Sequence, residues 1–283
     1  MDIAGKENAT SKLKRIINSA ACFVAAYVVI THGHFLMTAV VAKIFKYHSI
    51  VYYYGIRWMT NGERWTKASV TVVFLAGPLS ALLFGLLCLY MYDKIRSIKS
   101  IINLFFIWAF VIGTSLFCSQ NIIASLGMNE YNSPYYQNFA VLYAWWRIPL
   151  PLAYLANIPF AMLLLYFGVN YSKLFLLFAY SYTKVNKLSR KRKYFFETAI
   201  IPFLIGAVVT TIVTFPMNIF VHGIYLLVIA VALVVSFLSI SFLDIMRDEV
   251  LRYKNLQEVS IGILVFTALL NALVFVTWRG VNI

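Results

Sequence analysis

Residues 30–34 read Ile30-Thr31-His32-Gly33-His34, and they lie inside an apolar run that extends over 18–44. A run of that length predicts a membrane-crossing helix, because about 20 apolar residues cover the roughly 30 Å of hydrocarbon in a bilayer. Two histidines and a threonine at that depth need a reason beyond spanning, since polar side chains inside a membrane face protein or a cavity rather than lipid. Outward from this stretch, apolar runs at 68–92, 101–127, 148–180, 196–216, 219–242 and 259–278 repeat the pattern. The expected fold is therefore an all-α polytopic membrane protein with about seven transmembrane helices. The fourth run is long enough to contain a break near Gly168 to Asn170.

Composition agrees with the runs. Of 283 residues, 62% are hydrophobic and only 12% charged, with a mean hydropathy of +0.81. A soluble domain of this size has no use for so much apolar surface. The net charge of +14 does not mark a nucleic-acid surface. Most of the basic residues fall in segments that share one side: Lys6 to Arg15, Lys94 to Lys99, Lys184 to Lys193 and Arg247 to Lys254. That distribution follows the positive-inside rule and predicts a cytoplasmic N-terminus, with a bacterial inner membrane as the expected setting. Cys22, Cys88 and Cys118 fall inside apolar runs and read as small packing residues. Glu197 is the only acidic residue touching a late run, at its basic end, and reads as an interfacial anchor.

The organisation is a basic N-terminal tail over 1–17 and one transmembrane domain over 18–283. Within that domain, 18–92 forms a first unit around a loop at 45–67, and 101–283 supplies the remaining helices. The loop contains Ser49 to Trp58, rich in β-branched and aromatic residues, followed by Asn61-Gly62. Asn-Gly accepts positive φ at both turn positions, so one short interfacial β-hairpin is expected here. The segment 128–147 reads as a long loop on the same side, with room for a surface-lying helix.

Two features of residues 18–92 carry a resemblance. Gly33-His34 matches the end of the His-Glu-x-x-His type of helix, in which two histidines four apart bind zinc and the glutamate activates water. Gly77-Pro78-Leu79-Ser80-Ala81 matches a Gly-Pro-x-x-Asn signature in the helix after the hairpin, with Ala81 in place of asparagine. Together these resemble the site-2 protease family of zinc intramembrane metalloproteases. The chain departs from that family where chemistry is done. Ile30 stands at the first zinc ligand and Thr31 at the general base, so the resemblance implies a degenerate member, a pseudoprotease. Asn157-Ile158-Pro159 is the nearest match to a third motif, and no acid follows it. His32 cannot replace the lost ligand, because positions i and i+2 on a helix face nearly opposite ways.

The resulting expectation is a non-catalytic protein-binding or assembly subunit of a membrane complex, with no cofactor. Thr31, Gly33, His34, Gly77, Pro78 and Asn157 would shape the vestigial cavity. Tyr52, Tyr54 and Trp58 would contact a partner, either another membrane protein or an extended peptide segment, with membrane lipids around them. Two alternatives stay open. One is a carrier or channel for a neutral substrate, lined by Gln120, Asn121, Asn157 and His222. The other is a zinc intramembrane protease with His34 and His222 as unorthodox metal ligands.

Overall fold

Long apolar segments with few backbone breakers leave helix as the only way to satisfy every peptide group in hydrocarbon. The computed structural model describes residues 9–52, 55–60, 64–95, 101–130, 135–179, 181–214, 219–245, 259–276 and 280–283. Its helices are α1 (Ala9–Ile44), α2 (Lys67–Ile95), α3 (Ile102–Gly127), α4 (Phe139–Trp146), α5 (Leu150–Leu155) and α6 (Asn157–Leu177). They continue with α7 (Leu188–Phe195), α8 (Ile201–Thr214), α9 (Ile219–Ser239) and α10 (Ile261–Val276). Taken with the turns that join them, these give six spans long and apolar enough to cross a membrane. The chain is an integral, multi-pass membrane protein.

Several boundaries differ from the sequence reading. α1 begins at Ala9, inside the stretch read as a tail. The fourth run has no break at Gly168 to Asn170. α6 is continuous there, and the interruption comes at Ala156, between α5 and α6. The seventh run forms α10, whose 16 residues reach only about 24 Å at 1.5 Å per residue. α10 runs parallel to α1, because Ser260 N–H donates to Asn18 Oδ1 at 3.0 Å, Thr267 Oγ1 donates to the Ala21 carbonyl at 3.2 Å, and Val274 packs with Val28.

α3 is the centre of the bundle. It is buried nearly all round, as a helix surrounded by protein must be, and carries Asn103, Thr114, Ser119, Gln120 and Asn121 inward. α2, by contrast, turns Leu79, Leu83, Leu87 and Tyr90 outward. Gly77, Ala81 and Gly85 lie four residues apart on α2 and face its neighbours within the chain. A Cβ on Gly77 would lie 2.3 Å from Thr38 Oγ1 and 2.9 Å from the His34 carbonyl, so only glycine permits α1 this close. Pro78 follows without breaking α2.

A π-helical turn, Phe196–Ile200, joins α7 to α8. Pro202 has no N–H to give the Thr198 carbonyl, and Ser19 Oγ donates to that carbonyl at 2.6 Å instead. The turn presents Glu197 to α1. Glu197 is buried within the protein, with Oε2 2.6 Å from Arg15 and Oε1 2.8 Å from Lys12. The Arg15 guanidinium also lies over the Tyr194 ring at 4.8 Å.

The hairpin is present, with β1 (Ser49–Tyr52) antiparallel to β2 (Gly55–Trp58). The register pairs Tyr52 with Gly55, so the chain reverses between those two residues and not at Asn61-Gly62. The Asn61-Gly62 step lies outside the described residues. A third strand, β3 (Val281–Asn282), pairs antiparallel with the other edge of β1, giving the order β2-β1-β3. Gly280 enters this strand at φ +80°, where a Cβ would meet Ile50 Cγ2 at 2.5 Å.

Candidate functional site

His34 and Thr38 lie one turn apart on α1 and face Gly77 of α2. The Thr38 hydroxyl donates to the His34 carbonyl at 3.0 Å. His34 Nε2 accepts from Asn138 Nδ2 at 3.1 Å, and the other hydrogen on that nitrogen goes to Gln120 Oε1 at 3.0 Å. Gln120 Nε2 in turn donates to the Tyr225 hydroxyl at 3.2 Å. The Asn138 carboxamide therefore joins α1 to α3, and the Gln120 carboxamide carries the chain on to α9. Asn138 holds an unusual backbone conformation to do so, with φ 46° and ψ −113° at the start of α4. Strain of this kind persists only where the surroundings enforce it, and it gathers at functional positions.

Two further polar clusters sit nearby. His222 Nδ1 accepts from the Tyr27 hydroxyl at 2.7 Å, while its Nε2–H donates to Thr211 Oγ1 at 3.0 Å. That tautomer follows from Thr211, whose own hydrogen is committed to the Ala207 carbonyl at 2.8 Å. The other cluster is built from amides. Asn121 Nδ2 donates to Asn157 Oδ1 at 2.8 Å, Asn157 Nδ2 donates to Ser125 Oγ at 3.0 Å, and Tyr143 donates to Asn121 Oδ1. Partial burial raises the Tyr143 hydroxyl above its ordinary pKa.

The residues singled out from sequence thus separate. His34 and Gly77 meet, with Pro78 beside them in α2. Thr31 turns its hydroxyl back to the Tyr27 carbonyl at 2.7 Å, and Gly33 has nothing within 4 Å of where a Cβ would be. Neither residue is in the lining of the aromatic cavity beside the hairpin. Asn157 belongs to the separate amide cluster. His34 and His222 are held in different clusters, and no group of three His, Cys, Asp or Glu able to hold a metal occurs among the described residues. Gln120, Asn121, Asn157 and His222, the four groups that a polar path would use, are all hydrogen-bonded to protein, and none lines a cavity described here.

Of the three aromatic residues expected to meet a partner, Trp58 borders a cavity of about 470 Å³. Tyr52 instead packs its ring against Gly280 at the entry to β3. Tyr54 lies outside the described residues. The cavity sits between the hairpin and the turn leading into α4. Phe35, Trp58, Trp65, Phe74, Tyr136 and Trp145 make its aromatic wall. Thr38, Gln137 and Asn138 supply polar groups, and among the described residues no charged side chain lines it. His34 lies behind this lining, joined to it through Asn138.

No family model, no curated protein and no solved structure matches this chain.

Sequence reasoning missed Gln137 and Asn138. Asn138 lies 104 residues from His34, in a segment without helical or strand periodicity, so no local pattern marks it as a core residue. The one available signal was that His34, buried at bilayer depth, needs a polar partner from some other segment.

Proposed function

We propose that this chain is a non-catalytic, site-2 protease-like membrane protein that binds a protein partner as a subunit of a membrane complex. The observation that carries this reading is an open sheet edge beside the aromatic cavity. β1 is paired on both sides, so β2 presents an outer edge with no strand on it among the described residues. An extended segment can add to such an edge through its backbone while a neighbouring pocket takes its side chain. β3 supports the reading, because a segment distant in sequence already uses this sheet in that way.

Charge supports the same side of the molecule as the docking face. Lys43, Lys46, Arg57, Arg64, Lys67 and Arg147 are exposed around the hairpin and α4, which favours an acidic partner segment or anionic headgroups. The loss of catalysis rests on Ile30 and Thr31, one buried in the core and the other bonded to its own helix. The basic segments between spans favour a cytoplasmic N-terminus in a bacterial inner membrane.

Site-specific photo-crosslinking tests the reading. A crosslinker at Arg57, on the exposed β2 edge, is expected to give one discrete protein adduct that a crosslinker at outward-facing Leu83 does not give. Adducts to lipid alone from both positions would overturn partner binding. Elemental analysis gives the other test: one zinc per chain, lost in His34→Ala, would restore the protease.

A further inference from the structure

β3 is held the way a bound peptide is held. Two residues, Val281 and Asn282, pair with Val51 and Ile50 of β1, whereas strands in folded proteins commonly run to about five or six residues. Val281 is 44% exposed and Asn282 is exposed as well, so the side chains of the paired residues add little. The grip comes from the two ends. The Ile283 N–H donates to the Ser49 carbonyl at 3.0 Å, and the Ile283 side chain packs on a small apolar cluster of Phe35, Ala39 and Val51. At the other end Gly280, at φ +80°, passes Ile50 and Tyr52 with no room for a Cβ.

These are the parts of strand addition, in which backbone bonds supply affinity and a pocket for a side chain supplies selectivity. The β1 edge reads three things in its occupant: an extended backbone, a glycine where the segment enters, and an aliphatic side chain three residues on. All three are local properties of residues 280–283, so any extended segment with the same pattern meets them. One strand fits on that edge at a time, and a two-residue pairing leaves little to break when another arrives.

We propose that the β1 edge, with the apolar pocket of Phe35, Ala39 and Val51, is a binding site for an extended polypeptide of the pattern Gly-x-x-aliphatic, and that residues 280–283 hold it closed as an intramolecular ligand. An incoming segment binds by displacing them. The site lies on the opposite side of the sheet from the outer edge of β2, so it does not rest on the partner reading above.

The probe is an amidated peptide of residues 278–283, Trp-Arg-Gly-Val-Asn-Ile, labelled with fluorescein at its amino end and titrated into the full-length protein in detergent. Binding is read by anisotropy. Gly280→Val forces a β-branched residue into φ +80° and against Ile50, which releases the native segment. This variant is expected to bind the peptide at least about tenfold more tightly than the parent, in which only molecules with an open edge are competent. Ile283→Asp, which removes the apolar contact instead, should act in the same direction. Methylating the isoleucine nitrogen of the peptide removes the donor to Ser49 and should weaken binding about tenfold, whereas partition into the micelle would increase.

A lock gives the opposite sign. Ser49 and Ile283 share a hydrogen bond, so Ile50 and Asn282 form the neighbouring pair without one, close enough for a disulfide. In Ile50→Cys/Asn282→Cys, oxidation is expected to form that bond and abolish peptide binding, and reduction to restore it. This arm does not depend on the folding of the releasing variants, which melting curves check. No saturable binding to a folded releasing variant, or binding equal to the parent's, would overturn the proposal. Binding indifferent to the N-methyl group or to the closed disulfide would overturn it as well, as would failure of the disulfide to form.

Discussion

Gln120 and Asn121 are adjacent on α3, yet the two polar groups they serve behave differently. On the Asn121 side, Asn157, Ser125, Tyr143 and the Ala153 carbonyl close a cluster in which each amide finds partners within the bundle. On the Gln120 side, the chain of bonds through Asn138 ends at His34, and Nε2 of the adjacent Gln137 is buried with no partner among the described residues. A closed cluster fixes how helices pack. An unfinished one leaves a buried group whose lost hydration nothing offsets. The same chemistry is fully paired in one place and incomplete in the other, and only the hydrogen-bond accounting tells them apart.

The largest expected effect comes from opening the closed side. Asn121→Leu deprives Asn157, Tyr143 and the Ala153 carbonyl of a partner at once. It should destabilise the protein by about 2–4 kcal/mol, read as a lower melting temperature in detergent. Replacing Asn157 by leucine in the same chain should restore part of the loss, because orphaned groups cost more than absent ones. If the single variant melts like the parent, the cluster is not structural.

Gly77→Ala is next. It should cost about 1–3 kcal/mol by forcing α1 and α2 apart, and Thr38→Ala should recover only part of it, because the His34 carbonyl stays in the way. Full recovery would show that the side chain alone sets the spacing. Gln137→Leu should raise stability by about 1 kcal/mol, since it removes a buried donor that has no partner among the described residues. A large loss of stability there would mean that Gln137 belongs with the closed cluster.

The smallest effect is alkaline. A tyrosine whose pKa is raised on folding gives stability that is fully present below the unfolded value, about 10, and lost as pH climbs through the raised one. Tyr143→Phe should flatten that part of the alkaline melting profile. An identical profile would remove Tyr143 from the titration.

The helices were legible in the sequence because burial in lipid demands continuous apolar runs, and the runs at 68–92, 101–127 and 219–242 became α2, α3 and α9. The hairpin was legible in its strands but not in its turn. Local chemistry favoured Asn61-Gly62, whereas the aromatic cluster of Tyr47, Trp58, Trp65 and Phe74 holds Trp58 at the base of the hairpin, opposite Ser49. His34 and Gly77 were found together, because each looks odd in a membrane helix by itself. Gln137, Asn138 and β3 were not, because their importance lies in contacts across long stretches of chain. Glu197 looked peripheral for a similar reason: its place in the interior depends on Arg15, which is 182 residues away.

The pairing of β3 with β1 also bears on how the protein is made. α1 and the hairpin leave the ribosome first, and residues 281–282 follow only after every intervening span has been synthesised. Until then β1 keeps a bare edge, the state in which strands recruit the wrong neighbours. The sheet can be completed only once α10 has settled beside α1, so its closure reports that the bundle has been assembled in the right order.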